Sequence, residues 1–243
     1  MKKKSEILFH VFITCVLFSV LANSCKKDDL SVKDGDGNAY STVTIGTQIW
    51  LGENLKTTKY NDKTEIPLIT DDTEWEGLTT PGYCWYNNNS SYKNTYGALY
   101  NWYVVNTGKL CPSGWHVPSN TEWTALEDYL IANGFNYDGS DTGNKIAKSL
   151  ASASGWQISM ETGAPGNTDF PDYRNKSGFK AVPGGYRYED GSFRLLGIAC
   201  EGWTSSSYDT DRGWQYDIDK DYSGEILGHC EKMDGLTVRC LKD

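Results

Sequence analysis

Cysteines, acids at alternate positions and a late cluster of aromatic side chains are the groups in this chain that could do chemistry. Of seven cysteines, no two form a close Cys-x-x-Cys pair. Only His116 and His229 supply imidazoles beyond the first thirty residues, so zinc is a poor reading. Asp217, Asp219 and Asp221, with Glu225 beyond, alternate as the acids of a calcium loop do. The sixth position of such a loop is Tyr222 where a tight turn wants glycine, and Gly224 arrives two residues late. These three aspartates are the candidate cation ligands, ahead of Asp34-Gly35-Asp36-Gly37-Asn38, and no other cofactor is expected. Trp203, Tyr208, Trp214 and Tyr216, with Tyr222 nearby, are the candidate ligand-binding residues, because aromatic faces beside Asp and Asn suit a sugar or a peptide. In so Trp-rich a chain, aromatics are more often core, and Trp115 and Trp123 are assigned to it. No Gly-x-Ser-x-Gly elbow and no His-Glu-x-x-His pair occurs, so no catalytic residue is nominated and a non-enzyme is expected. His116 needs one polar partner to be a structural histidine, and Glu122 reads as a helix cap.

The first six residues carry three lysines, Ile7 to Ala22 are almost wholly apolar, and Asn23 and Ser24 lead to Cys25. A basic start, an apolar run and small residues before a cut site describe a secretory signal over residues 1–24. The run is shorter than the ~20 residues that cross a bilayer. Cys25 after small residues resembles a bacterial lipobox, with Leu21 one place earlier than usual. The resemblance implies lipid on the Cys25 thiol, and buried acyl chains contribute ~0.8 kcal/mol per methylene. Residues 25–38 are polar and rich in Asp, Lys and Gly, which reads as a flexible tether. Their Lys26-Lys27-Asp28-Asp29 resembles the surface-export signals of Bacteroidota lipoproteins, which implies an outer-membrane lipoprotein exposed at the cell surface. The formal net charge is −9, and −11 without residues 1–24. Such a surface repels nucleic acid, leaving the membrane, a glycan or a protein as partners.

The remaining residues, 39–243, suffice for one domain with its own core. Thr42-Val43-Thr44-Ile45 and Gln48-Ile49-Trp50-Leu51 read as strands. Ser119-Asn120-Thr121-Glu122 has the capping-box spacing, with Trp123, Leu126 and Leu130 on one face and Gly134 as the stop. A shorter helix is expected from about Gly143 to Ala151. Strands are expected at Phe179–Val182 and Leu236–Cys240, with a long loop-rich stretch between them. Strands, two helices, loops and a last strand make an α+β class.

Several motifs carry a resemblance: Ile49-Trp50-Leu51-Gly52-Glu53-Asn54-Leu55, Tyr96-Gly97-Ala98-Leu99-Tyr100-Asn101-Trp102, and Cys111-Pro112-Ser113-Gly114-Trp115-His116-Val117-Pro118. Pro183-Gly184-Gly185-Tyr186-Arg187, Trp203-Thr204-Ser205-Ser206 and Val238-Arg239-Cys240 follow in order. From about Asp36 to Asp243 the chain resembles the Fibrobacter succinogenes major paralogous domain family, found in surface proteins of Fibrobacter and Bacteroidota. It departs in having Gly202-Trp203-Thr204 where the family tends to pair tryptophans, and in adding Cys200 and Cys230. The resemblance implies a C-type-lectin-like fold with two helices, small antiparallel sheets and long loops, and a binding or adhesion role. It also implies a disulfide Cys111–Cys240, leaving Cys200–Cys230 to staple the long loop and Cys84 free and buried. No Glu-Pro-Asn or Trp-Asn-Asp is present, so a calcium-dependent sugar site is not implied. The same superfamily contains formylglycine-generating enzymes, whose chemistry needs a close redox-active cysteine pair. Cells fed labelled palmitate are expected to label this protein, and a Cys25→Ala variant is expected to lose the label.

Overall fold

The computed structural model describes residues 31–243. The signal segment 1–24, Cys25 and the first residues of the expected tether lie outside the described residues. The rest of that tether is folded: β1 (Val32–Lys33) and β2 (Ala39–Tyr40) pair antiparallel. One carboxylate is the reason. Asp34, buried, accepts from the backbone N–H of Asp36 and Asn38 and from the Tyr40 hydroxyl at 2.6 Å. The polar run therefore closes as an Asx-type turn, which composition does not reveal.

The two strands expected next form as β3 (Thr42–Ile45) and β4 (Gln48–Leu51). Short elements follow: α1 (Asp72–Trp75), β5 (Tyr83–Cys84), α2 (Lys93–Tyr96), β6 (Leu99–Tyr100), α3 (Trp102–Val105) and β7 (Trp115–His116). Then come α4 (Asn120–Ala132), α5 (Ala147–Leu150) and the hairpin β8 (Tyr186–Arg187) and β9 (Phe193–Arg194). The chain ends its pattern with β10 (Ala199–Ser207), β11 (Arg212–Asp219), β12 (Ile226–Glu231) and β13 (Leu241–Lys242). Five short helices and small antiparallel sheets confirm the α+β class. Among the described residues no helix is long and apolar enough to cross a membrane.

Helix α4 starts where its capping box stands. The Ser119 backbone N–H donates to Glu122 Oε2 at 2.8 Å, and Ser119 Oγ accepts from the Glu122 N–H. Trp123, Leu126 and Leu130 are buried on its inner face, and Gly134 ends it at φ +73°. The second helix is shorter than expected. Asn144 is held by both backbone groups of Glu225, and the Ala147 N–H by Ser223, so tertiary bonds replace the first helical turn.

The stretch expected to be long loops is instead a three-stranded antiparallel meander, β10-β11-β12. The strands expected at 179–182 and 236–240 do not form as regular strands. Ala181 makes one bridge to Ala151, and the 236–240 run gives its bonds to several sheets in turn. Its neighbour Leu241 enters the sheet β3-β4-β13-β7 between Trp50 and His116.

An aromatic box fills the core beneath α4. Trp123 stacks on Tyr216 at 3.9 Å, and Trp50 and Phe179 each meet Trp123 edge-on at 5.6 Å. Such side chains bury about 150–250 Å² each, worth roughly 4–6 kcal/mol before entropy. Gly202 makes the stack possible, since a Cβ there would sit 2.2 Å from the Tyr216 ring.

Cys111 and Cys240 are disulfide-bonded across 129 residues, as the resemblance implied. In the chain-entropy account, closing so long a loop is worth about 2–5 kcal/mol. Urea unfolding with reductant, or of a Cys111→Ser variant, is expected to show a midpoint lowered by that order of stability.

Candidate functional site

The exposed end of the meander gathers aromatic side chains that the sequence only partly points to. In β11, Trp214 and Tyr216 share one face and Gln215 and Asp217 the other, as strand pleating requires. Trp214 is the register partner of His229 on β12. The turn after β10 brings Tyr208 back over this pair: its ring stacks on His229 at 3.9 Å and meets Trp214 edge-on at 5.0 Å. Tyr208 is 43% exposed, His229 is exposed and Trp214 half-buried.

The turn is held rigid from below. Asp209 accepts from Arg212 Nε at 2.9 Å and Nη2 at 2.5 Å, and hydrogen bonds from Arg212 hold its carboxyl at about 2. The buried Lys232 donates to the carbonyls of Asp209 and Thr210. Thr204 Oγ1 donates to Asn120 Oδ1 at 2.8 Å, and the Asn120 N–H donates to Ser206 Oγ. These contacts tie the meander to the start of α4, so the aromatic surface stands on a fixed base.

Of the four aromatic candidates, Tyr208 and Trp214 reach this surface. Trp203 and Tyr216 do not. Trp203 is fully buried and donates its indole N–H to the Tyr100 carbonyl at 2.7 Å, while Tyr216 belongs to the aromatic box. Both faces of the meander are covered over these positions, so aromatics there pack inward. Tyr222 is exposed in the segment between β11 and β12. His229 is the partner that sequence reading missed; its position opposite Trp214 follows only from the β11–β12 register.

The candidate cation ligands do not converge. Asp217 and Asp219 lie in an extended strand, where alternate residues are about 6.6 Å apart, whereas calcium ligands sit about 2.3–2.6 Å from one ion. Asp221 pairs with Lys220 at 2.6 Å, and the buried Glu225 accepts the Trp123 indole N–H. Asp34 and Asp36 serve their own turn and the Thr58 N–H. Among the described residues no group of three or more His, Cys, Asp or Glu could hold a metal ion.

Cys200 and Cys230 are free, against the expected staple. Cys200 pairs in register with Ile218 at one end of β11, and Cys230 with Gly213 at the other. They are separated by roughly 16 Å along the sheet and point to opposite faces, while a disulfide needs Cα atoms about 4.4–6.8 Å apart. Cys84 is free and buried, as expected. Burial raises the thiols of Cys84 and Cys200 to about 12.

His116 lies between two carboxylates, with Nδ1 2.6 Å from Asp243 and Nε2 2.9 Å from Glu122. Burial opposes its charge, but the two carboxylates outweigh that and raise its pKa.

The model of the Fibrobacter succinogenes major domain matches residues 43–242. The chain belongs to this family. No curated protein and no solved structure is found to match it. In this Fibrobacter succinogenes major domain, the face of the meander that carries Glu201 and Asp217 is acidic. Burial pushes Asp217 and Asp234 up to about 7, and burial together with the charges of Asp217, Asp234 and Asp219 raises Glu201 well above the usual range. Between about pH 4 and 7 the folded state therefore binds more protons than the unfolded one. The contribution of Asp217 and Asp234 is complete below about pH 4, falls as pH rises and is lost above about pH 7, and the raised Glu201 acts in the same direction. The raised His116 works in the same direction from its unfolded value of about 6.5 upward. Asp62 and Asp209, held at about 2 by hydrogen bonds, act oppositely but only below about pH 4. Thermal unfolding is expected to give a higher Tm at pH 5 than at pH 8, and Asp234→Asn to narrow the difference.

Proposed function

We propose that this domain is a non-catalytic binding and adhesion module, displayed outward from the outer membrane through lipid on Cys25. The observation that carries the reading is the surface of Tyr208, His229 and Trp214, mounted on a braced turn and left open. Rigid aromatic faces offer large contact area at small conformational cost, and neighbouring serines and Asn120 suit hydrogen-bonding groups of a glycan or a protein surface.

A C-type-lectin-like fold is the finer architecture we assign. Supporting it are the helix α4 packed on short sheets, the pairing of β4 near the start with β13 near the end, and the disulfide from the region before α4 to the closing segment. A diverged enzyme of the formylglycine-generating type would need two thiols within reach of each other, and the positions of Cys200 and Cys230 lend that alternative no support. A purely structural envelope component would leave the aromatic surface without a task.

Purified protein applied to a mixed glycan and protein array is expected to bind a defined subset of ligands, unaffected by a calcium chelator. Tyr208→Ala and Trp214→Ala should each weaken that binding about tenfold or more, the size of loss typical of an aromatic anchor, with the circular dichroism spectrum unchanged. No binding to any array element, or binding that both variants retain in full, would overturn the reading.

A further inference from the structure

Three cationic side chains are buried to 1% exposure or less: Lys148, Arg187 and Arg239. Two have carboxylate partners, Asp169 for Lys148 and Asp72 for Arg187. Arg239 has none among the described residues. Its Nε and Nη2 donate to Asn54 Oδ1 at 3.2 and 2.7 Å, and its Nη1 donates to the carbonyls of Leu51 at 3.2 Å and Phe179 at 2.6 Å. Those bonds use four of the five guanidinium N–H groups and bring no negative charge. A buried charge left without a counter-charge is destabilising, so a site that keeps one invites an anion.

Arg239 forms part of the lining of a cleft of about 130 Å³. Lys180, Asn94, Thr95, Lys56 and Glu53 line it as well. Lys56 pairs with Glu53 at 3.0 Å, which offsets the Lys56 charge and leaves the Glu53 carboxylate in the wall. Lys180 is exposed and makes no ion pair among the described residues. It also adopts a left-handed backbone at φ +61°, which non-glycine residues rarely adopt, held by the Asn175 side chain. Two positive charges of this lining, Lys180 and Arg239, thus have no ion-pair partner among the described residues, in a chain of net charge −9.

The sequence motifs converge here. Gly52-Glu53-Asn54, Gly97 and Arg239 come from three of them and share the lining. Gly97 must be glycine at φ +84°, since a Cβ would lie 2.7 Å from the Leu55 carbonyl. Asn54 joins the pieces by donating to the Tyr96 carbonyl while accepting from Arg239.

We propose that this cleft binds the carboxylate of a sugar acid. The cleft is small and open to solvent, so it takes a carboxylate and the edge of a ring while the rest of a glycan stays outside. The Glu53 carboxylate in the wall disfavours a dianion such as phosphate. Asn94 and Thr95 offer hydroxyl-binding groups, and Val182 is the one aliphatic side chain in a lining that otherwise suits polyhydroxylated rather than apolar ligands. The site shares no residue with the Tyr208 surface and does not depend on the reading given to that surface.

Titration of the purified protein with glucuronate, glucose, acetate and inorganic phosphate, followed by calorimetry or NMR, tests this. Glucuronate is expected to bind more tightly than acetate or phosphate, and glucose not at all. Lys180→Gln should weaken glucuronate about tenfold and Asn94→Asp should abolish binding by placing a negative charge at the mouth. Both positions are exposed, so both variants are expected to fold. Tyr208→Ala should leave glucuronate binding unchanged. Failure of glucuronate to bind, equal binding of glucose or acetate, tighter binding of phosphate, or indifference to Lys180→Gln would each overturn the proposal.

Discussion

Backbone hydrogen bonds from the eight residues Gly235–Lys242 reach nearly every sheet of the domain, and the other elements take their places around that segment. Gly235 exchanges bonds with Arg187 of β8, and Leu236 with Tyr100 of β6. Thr237 accepts from Trp203 and donates to Glu201 of β10. Val238 and Cys240 accept from Leu55 and Leu51, and Leu241 lies between β4 and β7. A buried stretch of backbone must satisfy each of its polar groups, and here the partners are distributed over five elements rather than one. Most strands of this domain are two to four residues long and could not persist alone. They persist because one segment pairs with them in succession, and the Cys111–Cys240 bond fixes that segment from the side.

The helix α4 was legible because its signals are local: a capping box, a 3.6-residue apolar stripe and a terminal glycine lie within sixteen positions. β3 and β4 were legible for the same reason. The meander was not. β11 does alternate, with Trp214, Tyr216 and Ile218 against Gln215, Asp217 and Asp219, yet alternation promises one wet face, and here both faces are largely covered. That covering also explains why Trp203 and Tyr216 are core while Tyr208 and Trp214, nearer the turn between β10 and β11, are not. The folding of the Asp34–Asn38 run escaped notice because composition describes a segment's average, and a single carboxylate making several hydrogen bonds is not an average. In the candidate site, His229 was invisible since cross-strand register is a non-local quantity. The disulfide came from family resemblance and could not be read from spacing.

The interior carries an unusual set of charges for a domain of this size. Lys148, Arg187 and Arg239 are buried on the cationic side, Glu201, Glu225 and Asp234 on the acidic side, and they do not pair with one another across the core. Buried groups of this kind add little net stability, since desolvation offsets their attraction. What they do is fix direction. Arg187 bonds to Gly191, Ile69 and Asp72 and lies 4.4 Å over the Trp75 ring, which sets the angle between the β8–β9 hairpin and α1. Arg239 does the same for the ends of β4 and the Phe179 loop, with its guanidinium 4.5 Å over Phe179. Directional polar anchors replace long strands as the source of a single arrangement.

The solitary state of Cys84 and Cys200 bears on how the cross-link Cys111–Cys240 is kept. Thiolate is the species that attacks a disulfide, and a thiol with a pKa near 12 is ionised in only about one molecule in ten thousand at pH 8. Once the sheets close, these sulfurs are chemically silent and have no partner within reach, so scrambling stops. In the open chain every cysteine is an ordinary thiol and any pair can oxidise. In the finished fold the Cys111–Cys240 pairing is therefore protected by the sequestration of the remaining thiols.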